Sequence, residues 1–157
     1  MIALFAGTHD APFDRLVRVA ELLSERVSAE VLLQYGPSRA PLVPVIGTPA
    51  LSPDEVRAWL SRALVVVTHG GPGLIFEALA AGHQPIVLPR DPRFGEHVDA
   101  HQLAFAARMG GRVRLVDSVE QAVFAAVRGS QQVPPRTPHS APLAGDVRAR
   151  VAAALGG

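Results

Sequence analysis

The sequence predicts an α/β fold: a Rossmann-like, mainly parallel six-stranded sheet with helices on both faces. Short apolar runs bounded by turn residues alternate with longer amphipathic segments, which is the pattern of repeated strand–helix units. The 157 residues are 48% hydrophobic with a mean hydropathy of +0.23, enough for one domain with a substantial core. At residues 65–79 a β-branched run breaks at two glycines and restarts as a helix.

The elements follow one another as strand, helix, strand along most of the chain. The apolar runs predict strands at 1–6, 30–34, 43–46, 64–67, 85–88 and 112–116. The helical patterns predict helices at 13–26, 53–62, 72–81, 97–109 and 118–127.

Several helix ends carry their own signals. Ser52 is predicted as the N-cap of the second helix, with Pro53 at its first position and Glu55 completing a capping box. Gly82 is predicted to end the third helix, and Asp117 or Ser118 to cap the last helix of the domain.

Residues 1–128 are predicted to form the domain, and two further segments follow. Residues 129–145 are rich in proline and are predicted to be an extended linker. Residues 146–157 are predicted to carry a short terminal helix with Val147, Val151 and Leu155 on one stripe. That helix could dock on its own domain or on a partner, and the sequence leaves both alternatives open.

Right-handed crossovers predict the strand order 3-2-1-4-5-6, which makes strands one and four neighbours. Ligands of such sheets bind beyond the carboxyl ends of the strands where the order reverses. The loops that meet there are Gly7-Thr8-His9 and Thr68-His69-Gly70-Gly71. The sequence therefore predicts one ligand cleft between these two loops.

The helix that starts at Pro72 is predicted to bind an anion. Gly70 and Gly71 let a ligand approach the backbone, and the free N–H groups of the helix start favour a phosphate. Glu77 follows on a helix that is apolar on nearly every face, so we expect it to be buried and to need a partner. It could accept hydrogen bonds from ligand hydroxyls or form an ion pair with an arginine.

Composition excludes several classes of function. A net charge of +1 gives no electrostatic footprint for nucleic acid or a membrane surface, and the absence of cysteine removes disulfides and thiolate metal sites. The N-terminal run lacks a signal-peptide pattern, and no apolar stretch reaches membrane-spanning length, so we expect a cytoplasmic protein. The dinucleotide fingerprint, the P-loop and the Gly-x-Ser-x-Gly elbow are absent.

The sequence does not predict a metal site at residues 96–101. His97 and His101 are spaced to share a helix face, and Glu96 and Asp99 lie beside them. Zinc hydrolases place a glutamate directly after the first histidine, where this chain has Val98. Polar helix residues beside the cleft are the better interpretation, and a metal-dependent hydrolase remains a competing hypothesis.

Four motifs in order resemble the C-terminal domain of glycosyltransferase family 28, over residues 1 to about 128. They read Gly7-Thr8-His9-Asp10 with Pro12-Phe13-Asp14-Arg15-Leu16; Thr68-His69-Gly70-Gly71-Pro72-Gly73; Pro85-Ile86-Val87-Leu88-Pro89-Arg90; and Gly95-Glu96-His97-Val98-Asp99-Ala100-His101-Gln102. The chain resembles in particular the small stand-alone members of the family, which are catalytic subunits of two-part transferases.

The resemblance implies the donor-binding half of a GT-B enzyme. It implies a UDP-sugar donor, an inverting reaction without a required metal or cofactor, and a membrane-anchored partner subunit that binds a lipid-linked or polysaccharide acceptor. The isolated chain could also form a homo-oligomer. A non-catalytic nucleotide-sugar-binding regulatory module is the alternative.

The resemblance also implies residue roles. The helix start at His69–Gly73 would hold the diphosphate, Glu77 would bind ribose hydroxyls, and Glu96, His97 and Gln102 would contact the donor sugar. His69 and Glu96 are the candidate catalytic residues. The full set of candidate donor-binding residues is Gly7, Thr8, His9, His69, Gly70, Gly71, Gly73, Glu77, Arg90, Glu96, His97 and Gln102.

Overall fold

The structure is a computed structural model that describes residues 1–42 and 44–132. The strands are β1 (Ile2–Phe5), β2 (Val31–Gln34), β3 (Ile46–Thr48), β4 (Val65–Thr68), β5 (Ile86–Val87) and β6 (Arg114–Leu115). The helices are α1 (Asp14–Ser24), α2 (Pro53–Arg62), α3 (Pro72–Ala80), α4 (His101–Arg108) and α5 (Val119–Gln132). Short 3₁₀ turns occupy Pro92–Phe94 and Gly110–Arg112.

The six strands form one parallel sheet in the order β3-β2-β1-β4-β5-β6. This confirms the predicted Rossmann-like fold and its strand order. In the register of the sheet Phe5, the last residue of β1, pairs with Gln34 of β2 and Thr68 of β4. The carboxyl ends of the three central strands therefore lie side by side.

Alternation along the strands divides the core into two layers. Ile2 and Leu4 of β1 face a cluster that includes α1 and α5, whereas Ala3 and Phe5 face a cluster with α2 and α3. A third, smaller cluster joins α3 and α4 to β5 through Ile75, Val87 and Ala106, which places α4 on the same side as α3. Because both sheet faces are covered, the central strands are wholly apolar over most of their length.

Helix caps form largely where the sequence predicts them. The Ser52 hydroxyl accepts the Glu55 N–H at 3.3 Å, and the Glu55 carboxylate accepts the Ser52 N–H at 2.7 Å, so the capping box is confirmed. Ser118 caps α5 by accepting the Gln121 N–H. Gly82 follows α3 with φ +85°, the left-handed conformation that ends a helix.

Three predicted boundaries are wrong. The third strand occupies Ile46–Thr48 rather than 43–46, because the hydrogen bonds to β2 begin at Ile46; residue 43 lies outside the described residues. The fourth helix begins at His101 rather than residue 97, because Asp99 accepts the His101 N–H in a bend that precedes it. The sixth strand shortens to Arg114–Leu115, since Gly110–Arg112 forms a 3₁₀ turn.

The last described helix enters the segment predicted as a linker. α5 continues to Gln132, so residues 129–132 are helical. The rest of the predicted linker and the predicted helix at 146–157 lie outside the described residues. No helix in the described part of the chain is both long and apolar enough to cross a bilayer.

Candidate functional site

A cleft of about 690 Å³ lies at the carboxyl ends of β1, β2 and β4, where the sequence predicts a ligand site. Loops after the strands form one side, and the starts of α2 and α3 form the other. The cleft is lined by Phe5, Gly7, Thr8, His9, Asp10, Gln34, Gly36, Pro37, Pro49, Ala50, Leu51, Pro53, Val56, His69, Gly71, Pro72, Gly73, Leu74 and Glu77. Seven of the twelve candidate donor-binding residues are among them.

The loop after β1 is fixed by a residue that the sequence analysis missed. The Gln34 side chain accepts the Gly7 N–H at 2.9 Å and donates to the carbonyls of Gly7 and Pro49, each at 3.0 Å. Gln34 is 6% exposed, so this amide is a buried link between the loops after β1 and β3. Its signal in the sequence is a polar residue that ends an apolar strand.

The His69 imidazole lies between two glycines. A Cβ on Gly7 would stand 2.5 Å from His69 Cε1, and a Cβ on Gly71 would overlap His69 Nε2. Gly7 also has φ +79°, which disfavours any side chain there. These two glycines therefore make room for His69, whereas the sequence predicts that Gly71 makes room for a ligand.

His69 is a neutral imidazole at physiological pH. Burial, together with a smaller effect of the positive charge of Arg90, lowers its pKa from 6.5 to about 4. Its Nδ1 lies 3.3 Å from the Thr68 hydroxyl. At neutral pH His69 can donate one hydrogen bond into the site, but it does not add a positive charge there.

The N-terminus of α3 opens into the cleft without a side-chain cap. Gly71 is the N-cap residue and makes no side-chain bond, and the first turn contains no acidic residue. The N–H groups of Gly73 and Leu74 have no partner within the helix, because the first turn of any helix leaves its donors free. A Cβ on Gly73 would meet no atom within 4 Å, so the approach to this helix end is open.

Glu77 is exposed, and the prediction that it is buried is wrong. The apolar helix α3 buries only Ile75 and Ala78, and its outer face, including Phe76 at 52% exposure, is uncovered by the described residues. Glu77 lines the cleft, and no ion pair joins it to an arginine in the described ranges. Of the two interpretations of Glu77, the structure leaves the carboxylate available to a ligand.

Arg90 does not line the cleft, and its side chain is fully buried beneath the loop after β1. Its Nη1 donates to the carbonyls of Ala11 at 2.7 Å and Glu96 at 3.1 Å, and its Nη2 donates to the carbonyl of Ala6 at 3.0 Å. The guanidinium also stacks over the Phe13 ring at 4.8 Å. Arg90 therefore joins the loop after β1 to the loop after β5 and has no face turned to the cleft.

Glu96 is likewise buried and occupied. Its carboxylate accepts two bonds from Arg15, at 2.8 Å and 2.5 Å, and one from the Asp91 N–H at 3.0 Å. Glu96 is 3% exposed and is absent from the cleft wall. In this structure it orders the loop after β5 instead of facing the position expected for a sugar.

Gln102 holds two loops together from the first turn of α4. Its Oε1 accepts the N–H of Gly70 at 3.1 Å and the N–H of Arg90 at 3.3 Å. A Cβ on Gly70 would stand 2.7 Å from Gln102 Cβ, so Gly70 allows α4 to pack against the loop after β4. Gly70 and Gln102 support the cleft from behind and do not line it.

Thr8 and His9 line the outer edge of the cleft. The His9 Nδ1 accepts the Ala11 N–H at 3.0 Å, so its Nε2 is free to carry a proton and donate. The His97 ring packs against His9 with 4.4 Å between centroids, and His101 packs edge-on against His97 at 4.5 Å. His97 thus lies behind His9 rather than on the cleft wall.

A second cavity of about 400 Å³ lies beside β5 and β6, and three arginines line it. Arg15 is bound to Glu96, and Arg93 is bound to Asp91 at 2.5 Å. The third, Arg90, is fully buried and donates to backbone carbonyls.

The geometry thus separates two groups of residues. One group contacts the space that a ligand would fill: Gly7, Thr8, His9, His69, Gly71, Gly73 and Glu77. The other group fixes the loops that carry the first: Gly70, Arg90, Glu96, His97 and Gln102. The cleft can hold an anion at the helix end and hydroxyl groups near Glu77.

Two solved glycosyltransferases are similar to the chain. The chain is similar to a solved glycosyltransferase described as the glycotransferase of kitacinnamycin, with 24% identity and a TM-score of 0.56. That similarity covers 85% of this chain and 35% of the other, so the chain spans about a third of its relative. The glycosyltransferase SnogD from Streptomyces nogalater is 21% identical with a TM-score of 0.46, over 98% of this chain and 44% of SnogD.

No curated protein sequence matches the chain. The family model described as the glycosyltransferase family 28 C-terminal domain matches residues 1–142, which includes every element described above. The parallel sheet and its strand order fit the Rossmann-like half of a GT-B fold. The chain therefore belongs to the glycosyltransferase family 28 C-terminal domain family.

Proposed function

We propose that the chain is the donor-binding, catalytic part of an inverting glycosyltransferase that uses a UDP-sugar, with UDP-N-acetylglucosamine or a related sugar as donor. The observation that carries the proposal is that one cleft holds both a helix start without a side-chain cap and a carboxylate that no arginine of the described residues pairs with. Gly73 at the start of α3 and Glu77 one turn later both line that cleft, which suits a diphosphate joined to a ribose.

The mechanism we propose is electrostatic. The bond between the sugar C1 and the diphosphate oxygen breaks, and its electron pair moves to the departing UDP. The N–H groups and dipole of α3 stabilise that negative charge, and neutral His69 contributes a hydrogen bond. An acceptor hydroxyl forms the new bond to C1 from the opposite face, and its proton passes to a base outside this chain.

Glu96 enters this mechanism as a positioning residue. Because Arg15 and the Asp91 N–H occupy its carboxylate, we do not assign it a contact with the sugar. It orders the loop that also carries Arg90, and Arg90 in turn holds the cleft loop after β1 through the Ala6 and Ala11 carbonyls.

The partner and the location are part of the proposal. A separate acceptor-binding subunit, anchored in the membrane, would bring a lipid-linked or polysaccharide acceptor to the cleft. The chain itself would then act in the cytoplasm at the inner face of the membrane, without a required cofactor. The family model that matches the chain is described as a C-terminal domain, which supports an acceptor-binding half outside the matched residues.

The proposal predicts that Glu77→Gln weakens UDP binding without unfolding the protein. A hydrogen bond to a charged group contributes about 1.5–3 kcal/mol, so the Kd for UDP should rise by roughly tenfold or more. Isothermal calorimetry with UDP measures the change, and a thermal-unfolding curve checks that the exposed substitution leaves the fold intact.

Glu25→Gln is the matched control, because Glu25 is an exposed carboxylate at the end of α1 and away from the cleft. It should leave the Kd for UDP unchanged. Equal affinity of Glu77→Gln and the natural protein would contradict the role of Glu77. Preference for a different nucleotide in the same titration would overturn the UDP assignment, and binding without transfer in the presence of the partner would favour a regulatory module.

A further inference from the structure

Three side chains just before and at the start of α4 form a compact cluster of nitrogen and oxygen donors. His97 Nδ1 lies 3.4 Å from Asp99 Oδ1, and His101 Nδ1 is hydrogen-bonded to the same oxygen. One donor atom from each of the three residues lies within 4.8 Å of the others. The sequence predicts no metal here, because it places His97 and His101 on one helix without the zinc-hydrolase spacing.

The observed backbone changes that expectation. Residues 97–100 form a bend before α4 rather than its first turn, so His97 and His101 approach Asp99 from two directions. Zinc held at about 2.0–2.1 Å by nitrogen and oxygen in a tetrahedron separates its ligand atoms by roughly 3.3 Å. The 3.4 Å separation of His97 and Asp99 already has that value, and rotation of the exposed His101 side chain can bring its ring nitrogen to the same distance.

In this cluster the His97 side chain is buried, whereas the side chains of Asp99 and His101 are exposed to solvent. The His97 side chain is 6% exposed and is packed between His9 and His101, whereas the side chains of Asp99 and His101 are 56% and 58% exposed. A metal ion can therefore reach the cluster from solvent, and water can complete its coordination.

We propose that His97, Asp99 and His101 form a binding site for a transition-metal ion of the zinc class, next to the cleft. Imidazole with one carboxylate favours zinc, cobalt and nickel over magnesium and calcium, which prefer oxygen ligands. His97 Nδ1 also accepts the Asp99 N–H at 3.3 Å, a long hydrogen bond, so a metal ion at Nδ1 would displace that contact.

Zinc binding to the full 157-residue chain, produced without a polyhistidine tag, tests the site. Isothermal calorimetry with Zn²⁺ at pH 7.5 should show saturable one-to-one binding, and Mg²⁺ should show none. Asp99→Asn keeps an oxygen that can accept the His101 N–H, so it preserves the bend but removes the charged ligand. His97→Gln and Asp99→Asn should each weaken zinc binding by at least about tenfold.

His83→Gln is the matched control, because His83 lies after α3, outside the cluster, and its ring contacts the Leu60 carbonyl. It should bind Zn²⁺ as tightly as the natural chain. Absence of saturable binding, or equal binding by His97→Gln and Asp99→Asn, would overturn the proposal. Because zinc is titrated without nucleotide, the result is independent of whether the cleft binds UDP.

Discussion

The position of the His69 ring determines the role of the neighbouring glycines. Gly7 and Gly71 face the imidazole from two loops that are 64 residues apart in the sequence, and a side chain on either would overlap it. Gly73, only two residues beyond Gly71, faces open space instead. Glycines that look equivalent in the sequence therefore serve two purposes, which are space for a histidine and access for a ligand.

Gly71→Ala should destabilise the protein by about 1–3 kcal/mol, because the new methyl group overpacks against His69. Gly71 has φ −73°, which alanine adopts without strain, so the cost comes from the ring alone. In a His69→Ala background the same substitution should cost little. Urea unfolding of the four proteins in this double-mutant cycle measures the coupling.

Gly73→Ala is the control for that cycle, because its new methyl group meets no atom within 4 Å. It should leave the free energy of unfolding unchanged or slightly raised, since alanine has the higher helix propensity. An equal loss of stability in Gly71→Ala with and without His69 would disprove the steric account.

His69 should also make stability depend on pH. Its pKa is about 4 in the folded protein and 6.5 ordinarily, so the unfolded chain binds a proton first as the pH falls. This contribution is fully present above pH 6.5 and is lost between pH 6.5 and about 4, by a total on the order of 3 kcal/mol. His69→Asn should flatten this dependence in urea unfolding between pH 7 and 5. An unchanged slope would mean that other groups cause it.

At the scale of elements, the loop after β5 is held by buried polar contacts rather than by regular structure. Arg15 of α1 and Glu96 form a two-bonded ion pair, and Arg90 and Gln102 bond the backbone on either side. These contacts join α1, β5 and α4 to the loop after β1. The position of the cleft loop after β1 therefore depends on this network of buried hydrogen bonds.

Glu96→Gln should destabilise the protein by about 2–4 kcal/mol, because it leaves the Arg15 guanidinium, only 16% exposed, without a countercharge. A double-mutant cycle with Arg15→Gln should show strong coupling between the two positions in urea unfolding. A Glu96→Gln protein of natural stability that fails to bind a UDP-sugar would instead indicate direct contact with the donor.

For the whole molecule, chain order and crossover handedness were enough to predict the strand order. The position of the cleft followed from that order. The burial of Glu77 was predicted wrongly from the hydropathy of α3. An apolar helix is expected to be covered, but no described residue covers the outer face of α3. The role of Glu96 was not predictable, since its partner Arg15 lies 81 residues away and no local pattern reports such a pairing.

The proposed division of labour between two subunits has a direct test. The chain alone should bind UDP but show little glycosyl transfer, because the acceptor site and the base would lie in the partner. Transfer from a UDP-sugar, measured with and without a candidate membrane-anchored subunit, checks this expectation. Full turnover by the chain alone would show that it contains a complete active site.

The packing of one imidazole between two glycines also constrains how this protein can change over time. Positions 7, 69 and 71 share one volume, so natural substitutions at any of them should depend on the other two. A homologue with a small residue at the position of His69 could carry alanine at the position of Gly71, whereas one that retains histidine could not. Variation at these three sites should therefore occur in concert across related proteins.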